Sequence, residues 1–355
     1  MARLFTDLPE GPLAIVGDVH GEIGALEALL AKIAKVAQGP RGLGSRERTV
    51  VFVGDLVDRG PDSVAVVRRV AELVSRGRAR AVLGNHELNL LVDPHGRKPA
   101  KEGNGWFHGR DDHYQLEGGR KGPFASRTAS ESERAEMLGF FRTLPLVAER
   151  DDLRVVHAGY YADAAAALPR EGDVAALVEE RAAAIEADLR ARGRWQAADE
   201  ERARFAQLKD IACEPTEHLS AVAEVEHAQQ ARNPIKLLTS GGEIPVEPGA
   251  HFFTGGKWRF LTRERWWHAP QDRPTVFGHH WRRRGGPIAG KVDVWDDVPT
   301  YGWSGDAFCV DYSVGRRYAE RVAGRSDGFD NGLAALLWPE RELVFDDRDD
   351  RIPTR

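Results

Sequence analysis

Three short motifs concentrate side chains that can hold metal ions. They are Gly17-Asp18-Val19-His20-Gly21, Gly54-Asp55-Leu56-Val57-Asp58-Arg59-Gly60 and Gly84-Asn85-His86-Glu87. Two more follow much later, His157-Ala158-Gly159 and Gly278-His279-His280. Asp18, His20, Asp55, Asn85, His157 and His279 each come after a short apolar run. As a set they offer carboxylate or amide oxygen and imidazole nitrogen, with no thiolate. Such a set suits divalent ions of the Mn²⁺, Fe²⁺ or Zn²⁺ kind. Six ligands are too many for one ion with an open position. They suit two ions sharing one carboxylate, roughly 3.5–4 Å apart, as in two-metal hydrolytic sites. Asp55, on the middle motif, is the natural bridge, because a carboxylate has two oxygens to share.

Strands must carry these residues to one place. The apolar runs 13–16, 50–53 and 79–83 read as buried strands. Between the first two, Ile23, Leu26, Leu29, Leu30, Ile33 and Val36 recur at helical spacing. A second helix is expected to open at Pro61, to bury Val64, Val67 and Val70, and to stop at Gly77. Alternating strand and helix implies a parallel sheet with covering helices. Ligands gather at the carboxyl ends of such strands. Further strands are expected at 153–156, 275–277 and 307–310, and a closing hairpin at 333–337 and 343–345. The charged tail beyond Phe345 is expected to fray.

Other stretches lack this pattern. The Gly- and Arg-rich 38–45 reads as a loop, and 93–130 as an inserted lid. A helix is expected after Ser130 or Ser132, burying Leu138, Phe141 and Leu144. Helices are expected at 174–189, 197–211 and 216–232, in a stretch rich in Ala, Glu and Arg. Aromatic and basic residues alternate from Phe252 to Trp267 and are expected to form a small buried layer. The domain reading is a core of 1–160 and 271–355, with 161–270 inserted as a helical cap.

A net charge of -5 argues against a broad nucleic-acid or membrane footprint. No apolar run approaches the ~18 residues of a spanning helix. Cys213 and Cys309 have no metal or redox spacing, which suggests a reducing compartment. The N-terminal residues lack the apolar core of a signal peptide, so a cytoplasmic protein is expected.

Taken in order, the motifs resemble those of the phosphoprotein phosphatase (PPP) family, bacterial type, within the calcineurin-like metallophosphoesterases. The resemblance covers about residues 12–92, 153–160 and 275–345. It implies an α/β fold, a sandwich of β-sheets flanked by helices, here with the helical cap inserted. It implies a first ion on Asp18, His20 and Asp55, and a second on Asp55, Asn85, His157 and His279. Mn²⁺ is the expected metal, with Fe or Zn as alternatives. His86 is the implied general acid, Asp58 its partner and Arg59 the phosphate clamp, suited by its forked donors. The implied reaction is direct hydrolysis without a phosphoenzyme. Glu87 is expected to hold its loop by hydrogen bonds, and His280 to be supporting or merely adjacent.

The resemblance leaves the substrate open. Eukaryotic members carry a further phosphate-binding Arg in a local motif absent here; Arg259, Arg263 and Arg265 are candidates by position. The leading expectation is a phosphatase acting on phosphomonoesters, including phosphoserine or phosphothreonine in proteins. Asp58 favours it, because diadenosine tetraphosphatases often lack that acid. The alternative is a diadenosine tetraphosphatase-like nucleotide hydrolase, favoured by the 93–130 insertion and the aromatic-basic stretch. From another class comes a non-catalytic binding protein on a phosphatase fold. Neither a stable nucleic-acid partner nor a membrane partner is expected.

Overall fold

The computed structural model describes residues 2–37, 47–97, 103–111, 113–115, 121–254, 256–286 and 294–354. The loop expected at 38–45 lies outside the described residues. The chain forms two compact units. The larger comprises Met1–Ala158, Arg170–Asp173 and Trp267–Arg355; the smaller comprises Gly159–Pro169 and Val174–Trp266.

The larger unit is built on two sheets. A six-stranded sheet runs in the order Arg348–Pro353, Glu342–Phe345, Ala334–Trp338, Leu13–Val16, Thr49–Phe52, Ala79–Ala81. A five-stranded sheet runs Ala307–Cys309, Thr275–Phe277, Leu153–Val156, Val147–Arg150, Phe5–Asp7. One continuous cluster of buried apolar side chains joins them. Ile15, Val51, Val53, Leu336 and Phe345 from the first sheet meet Val155, Val276, Phe308 and Val310 from the second. This is a sheet-on-sheet sandwich, closed by inward-facing residues of both layers.

Three strands of the first sheet are parallel: Leu13–Val16 pairs with Thr49–Phe52, which pairs with Ala79–Ala81. In the second, Thr275–Phe277 is parallel to both Leu153–Val156 and Ala307–Cys309. Each of these strands is buried along nearly its whole length, so each sequence reads as a continuous apolar run. Helices Ile23–Ala37 and Ser63–Ser75 make the parallel crossovers.

Some local expectations need correction. The second helix begins at Ser63, not Pro61, because Asp62 caps it, its Oδ1 accepting the Ala65 N–H at 2.9 Å. Helix Glu131–Phe141 is capped by Ser130 and buries Met137 and Phe141, while Leu138 is only half-buried. The tail does not fray: Arg348–Pro353 pairs antiparallel with Glu342–Phe345 and is the edge of the larger sheet. Its exposed, charge-rich sequence is typical of a protected edge strand. The 93–130 stretch contains a short helix, Gly105–His108, and a paired ribbon, His113–Gln115 with Lys121–Pro123.

The smaller unit contains helices Val174–Ala191, Arg194–Arg204 and Ser220–Ala231, packed through Ile185, Leu189, Ala198, Val222 and Val225. The second of these stops at Arg204, short of the expected 211. Its aromatic-basic stretch forms strand pairs, Glu243–Pro245 with Leu261–Arg263 and Phe252–Thr254 with Lys257–Arg259. No helix among the described residues is long and apolar enough to cross a membrane.

Candidate active site

The site residues occupy turns that leave the carboxyl ends of the parallel strands. Most of those turns need unusual backbone. Among the described non-glycine residues, His20, Asp55, Asp58, Arg59, His279 and Ser313 have positive φ, from 45° to 74°; only Arg341 joins them from elsewhere. Such conformations cost about 1–3 kcal/mol each and persist where surrounding contacts over-determine them. Glu87 supplies many of those contacts. Fully buried, it accepts the backbone N–H groups of Asp55 and Gly84 on Oε2, at 2.9 and 3.1 Å. Its Oε1 accepts those of Leu56 and Val57, at 2.8 and 3.3 Å. Gly84 is required there, since a Cβ would lie 2.3 Å from the Asp55 nitrogen. Thus one carboxylate ties the second motif to the third.

Both buried histidines on the sheet side are held in the tautomer that a metal ligand needs. His20 Nδ1 donates to the Val57 carbonyl at 2.9 Å, and its Nε2 accepts from Arg59 Nη1 at 2.7 Å. Burial, then the Arg59 charge, holds His20 well below the usual imidazole range, so Nε2 keeps its lone pair. His157 Nδ1 donates to the Val53 carbonyl at 2.8 Å. Its Nε2 then faces two oxygens, Asn85 Oδ1 at 3.1 Å and Asp55 Oδ1 at 3.3 Å. His279 Nδ1 meets the same Asn85 oxygen at 2.9 Å. Backbone carbonyls behind the ring are the usual orienting partners of ligating histidines.

Asp55 is common to two groups of ligand atoms: His20, Asp55 and His86, and Asp55, His157 and His279. Within each group the atoms lie within 4.8 Å of one another. The first group contains His86 where Asp18 is expected. Asp18 is close by, with Oδ2 3.8 Å from His20 Nε2, and its carboxylate accepts the His279 N–H.

The charge balance also fits divalent cations. Burial, with Asp311 and Asp55 alongside, pushes Asp18 well above the usual carboxylate range. Burial pushes Asp311 up to about 6, and its Oδ2 has no hydrogen-bond partner among the described residues. Burial and the nearby Asp55 push Glu87 up to about 7 despite its four backbone donors. Asp55 goes the other way: burial opposes its charge, but His157, His86 and His20 outweigh it and hold the carboxyl well below its ordinary value. Buried carboxylates gathered without enough positive charge are what bound cations relieve.

His86 sits at the edge of this cluster. Its Nδ1 donates to Asp58 Oδ2 at 2.5 Å, and Nε2 faces Arg59 Nη2 at 3.3 Å. Asp58 is held in turn by the Ser63 hydroxyl at its backbone N–H and by Trp106, whose Nε1 donates to Oδ1 at 2.6 Å. Trp106, from the short helix in the 93–130 stretch, has no motif around it, and sequence reasoning missed it. Asp311 was missed as well, although the end of an apolar strand was a usable signal.

All nine residues expected from the motifs therefore converge: Asp18, His20, Asp55, Asp58, Arg59, Asn85, His86, His157 and His279. Arg59 turns away from Asp62, which pairs instead with Arg127 at 3.1 Å. His280 does not join the cluster; its Nε2 donates to the Ala158 carbonyl at 2.8 Å and its ring packs on Trp267. Arg259, Arg263 and Arg265 belong to the smaller unit.

Comparison with known proteins bears on this arrangement. Residues 11–196 match the family described as calcineurin-like phosphoesterase. A symmetrical bis(5'-nucleosyl)-tetraphosphatase of Janthinobacterium sp. is 35% identical over 148 residues, 41% of this chain and 42% of that protein. An asymmetrical bis(5'-nucleosyl)-tetraphosphatase PrpE of Oceanobacillus iheyensis is 44% identical over 90 residues, 23% of this chain and 36% of that protein. The chain thus spans less than half the length of these curated relatives. Among solved structures, a putative diadenosine tetraphosphatase aligns with 97% of this chain and 97% of its own at 17% identity. Its TM-score is 0.41, too low to carry weight by itself.

Proposed function

The chain belongs to the calcineurin-like phosphoesterase family, and from that premise we propose that it is a two-metal hydrolase that splits dinucleoside polyphosphates of the diadenosine tetraphosphate kind. Asp55, shared by two ligand groups, is the observation that carries the hydrolase reading. The substrate reading rests on the relatives named as tetraphosphatases, and it displaces the phosphomonoester reading as first choice.

Asp18, His20 and Asp55 would hold one ion, and Asp55, Asn85, His157 and His279 the other. Mn²⁺ fits the donor set, with Fe²⁺ or Zn²⁺ as alternatives. When bound, two such ions supply concentrated positive charge and acidify the attacking water. Everything else is done by side chains. Arg59 directs its guanidinium between His20 and His86, where it can grip phosphoryl oxygens and set the group in line for attack. His86 would give an Nε2 proton to the leaving oxygen as the P–O bond breaks. Asp58 holds the Nδ1–H, fixing the ring and stabilising the imidazolium.

A second reading, hydrolysis of phosphomonoesters including phosphoserine or phosphothreonine, is favoured by Asp58 standing against His86. Turnover of diadenosine tetraphosphate and of a phosphopeptide by one Mn²⁺-loaded preparation decides between them. Hydrolysis of the dinucleotide is expected; turnover of the phosphopeptide alone would move the assignment to the second reading.

A further inference from the structure

Trp281 follows the His279-His280 pair and is, among the described residues, one of the few large apolar side chains left open to solvent, at 37% exposure. Two arginines lie on its ring. The Arg59 guanidinium carbon is 4.7 Å from the ring centroid, and that of Arg316 is 5.4 Å. Arg59 already reaches His20 and His86 at the reaction centre. Arg316 arrives from a separate turn, after the strand Ala307–Cys309.

That turn presses against the candidate ligand residues at His20. A Cβ on Gly315 would lie 2.4 Å from His20 Cδ2, so only glycine lets the backbone approach this closely. Arg316 is the next residue. Its neighbours are tied to carboxylates: Arg317 to Asp346 at 2.7 and 3.0 Å, Arg321 to Glu22, and Arg284 to Asp347. Arg316 makes no ion pair or side-chain hydrogen bond among the described residues, and neither does Arg59 with any carboxylate. Two like charges share one indole; Arg59 has the buried Asp18 and Asp311 in its field, whereas Arg316 has no carboxylate partner among the described residues. The aromatic face offsets part of their repulsion. A bound polyanion would offset the rest.

We propose that Arg316 and Trp281 form a second phosphate subsite beside the reaction centre. Arg59 grips the phosphoryl group that reacts, and Arg316 grips the next group along the chain. Trp281 is the shelf that sets both guanidinium planes. Arginine suits this task, since its planar fork binds phosphate oxygens in pairs and also stacks on aromatic rings. The subsite selects substrates with two or more linked phosphoryl groups over simple monoesters. It deepens the reading given under Proposed function and rests on it for the reaction itself.

Inhibition of p-nitrophenyl phosphate hydrolysis by AMP and by ADP, in saturating Mn²⁺, tests the subsite without requiring turnover of a dinucleotide. Charged hydrogen bonds of this kind correspond to roughly 10–100-fold in binding. R316M is expected to raise the ADP inhibition constant by about that factor and the AMP constant by no more than about threefold. R316K, which keeps the charge and loses the fork, should shift the ratio in the same direction by less. W281L should also weaken ADP selectively, because the shelf is gone. Equal weakening of ADP and AMP in R316M, or no change in either, would overturn the subsite. Failure of the wild type to cleave diadenosine tetraphosphate would instead remove the substrate reading, and the ADP-to-AMP ratio would still judge Arg316.

Discussion

Asp55 faces four polar groups at once. Oδ1 accepts the His86 N–H at 3.0 Å and lies 3.3 Å from His157 Nε2; Oδ2 lies 3.8 Å from both His20 and His86 Nε2. Neutralising it should affect both ion sites together. In Asp55→Asn the bound metal, counted by elemental analysis, is expected to fall at both sites. Turnover should drop by roughly 10³-fold or more, the equivalent of several kcal/mol of lost charge stabilisation. Full activity with two ions still bound would refute the shared-carboxylate arrangement. His86 should behave differently, because it is read as a proton donor and not as a ligand. His86→Asn is expected to keep both ions and lose ~10²–10⁴-fold in kcat. Loss of metal in that variant would show that His86, which stands in the first ligand group, binds an ion after all.

At the level of elements, the chemistry depends on how each turn is anchored. Glu87 opens helix Asn85–Val92 and reaches back to the Asp55 turn, so the third motif shapes the second. Asp62 does similar work for helix Ser63–Ser75, and Ser63 from its first turn supports Asp58. Asp62→Ala removes the side-chain cap and is expected to cost about 1 kcal/mol of local stability. The exposed pairing of Asp62 with Arg127 adds little to that figure. Faster native-state hydrogen exchange at amides of the helix is the measurement; unchanged exchange would mean the cap is dispensable. The strands were legible because burial on both faces left unbroken apolar runs. Helix starts were less so, since Pro61 and Asp62 both carry start signals and only the fold selects the cap. The tail was misread for a related reason: an edge strand is exposed and charged, as a frayed end would be.

For the whole molecule, the buried carboxyls make stability depend on pH and on metal together. Glu87 and Asp311, raised to about 7 and about 6, and Asp18, raised well above its ordinary value, bind protons more tightly folded than unfolded. His157, whose charge burial opposes but Asp55 favours, is raised too and has the same sign. Where the native state holds more protons, stability falls as pH rises. His20, lowered by burial and Arg59, acts in the opposite sense below its ordinary value and offsets only part of this. Metal-free protein is therefore expected to melt at progressively lower temperature from about pH 5 to pH 8. Excess Mn²⁺ should raise the melting temperature most at the high end, by about 2.7 kcal/mol of linkage at a hundred times the dissociation constant. A metal-free melting temperature that climbs through this range would contradict the placement of these carboxyls.

The sequence alone determined which residues gather at the candidate site, because each stands within a few residues of a buried strand's end. Chain-local spacing is enough to place such residues at the carboxyl ends of parallel strands, here drawn from both sheets. Glu87 was legible for the same reason: its partners lie on a neighbouring motif. Tertiary structure decided whatever depends on contacts between distant segments. It turned His280 away from the cluster, brought Trp106 to Asp58, left Asp311 with an oxygen that has no partner among the described residues, and set Arg316 beside Arg59 on the Trp281 ring. Apart from Asp311, which stands at the end of an apolar strand, these residues carry no local signature of their placement, since their orientation is fixed by packing against parts of the chain tens to hundreds of residues away.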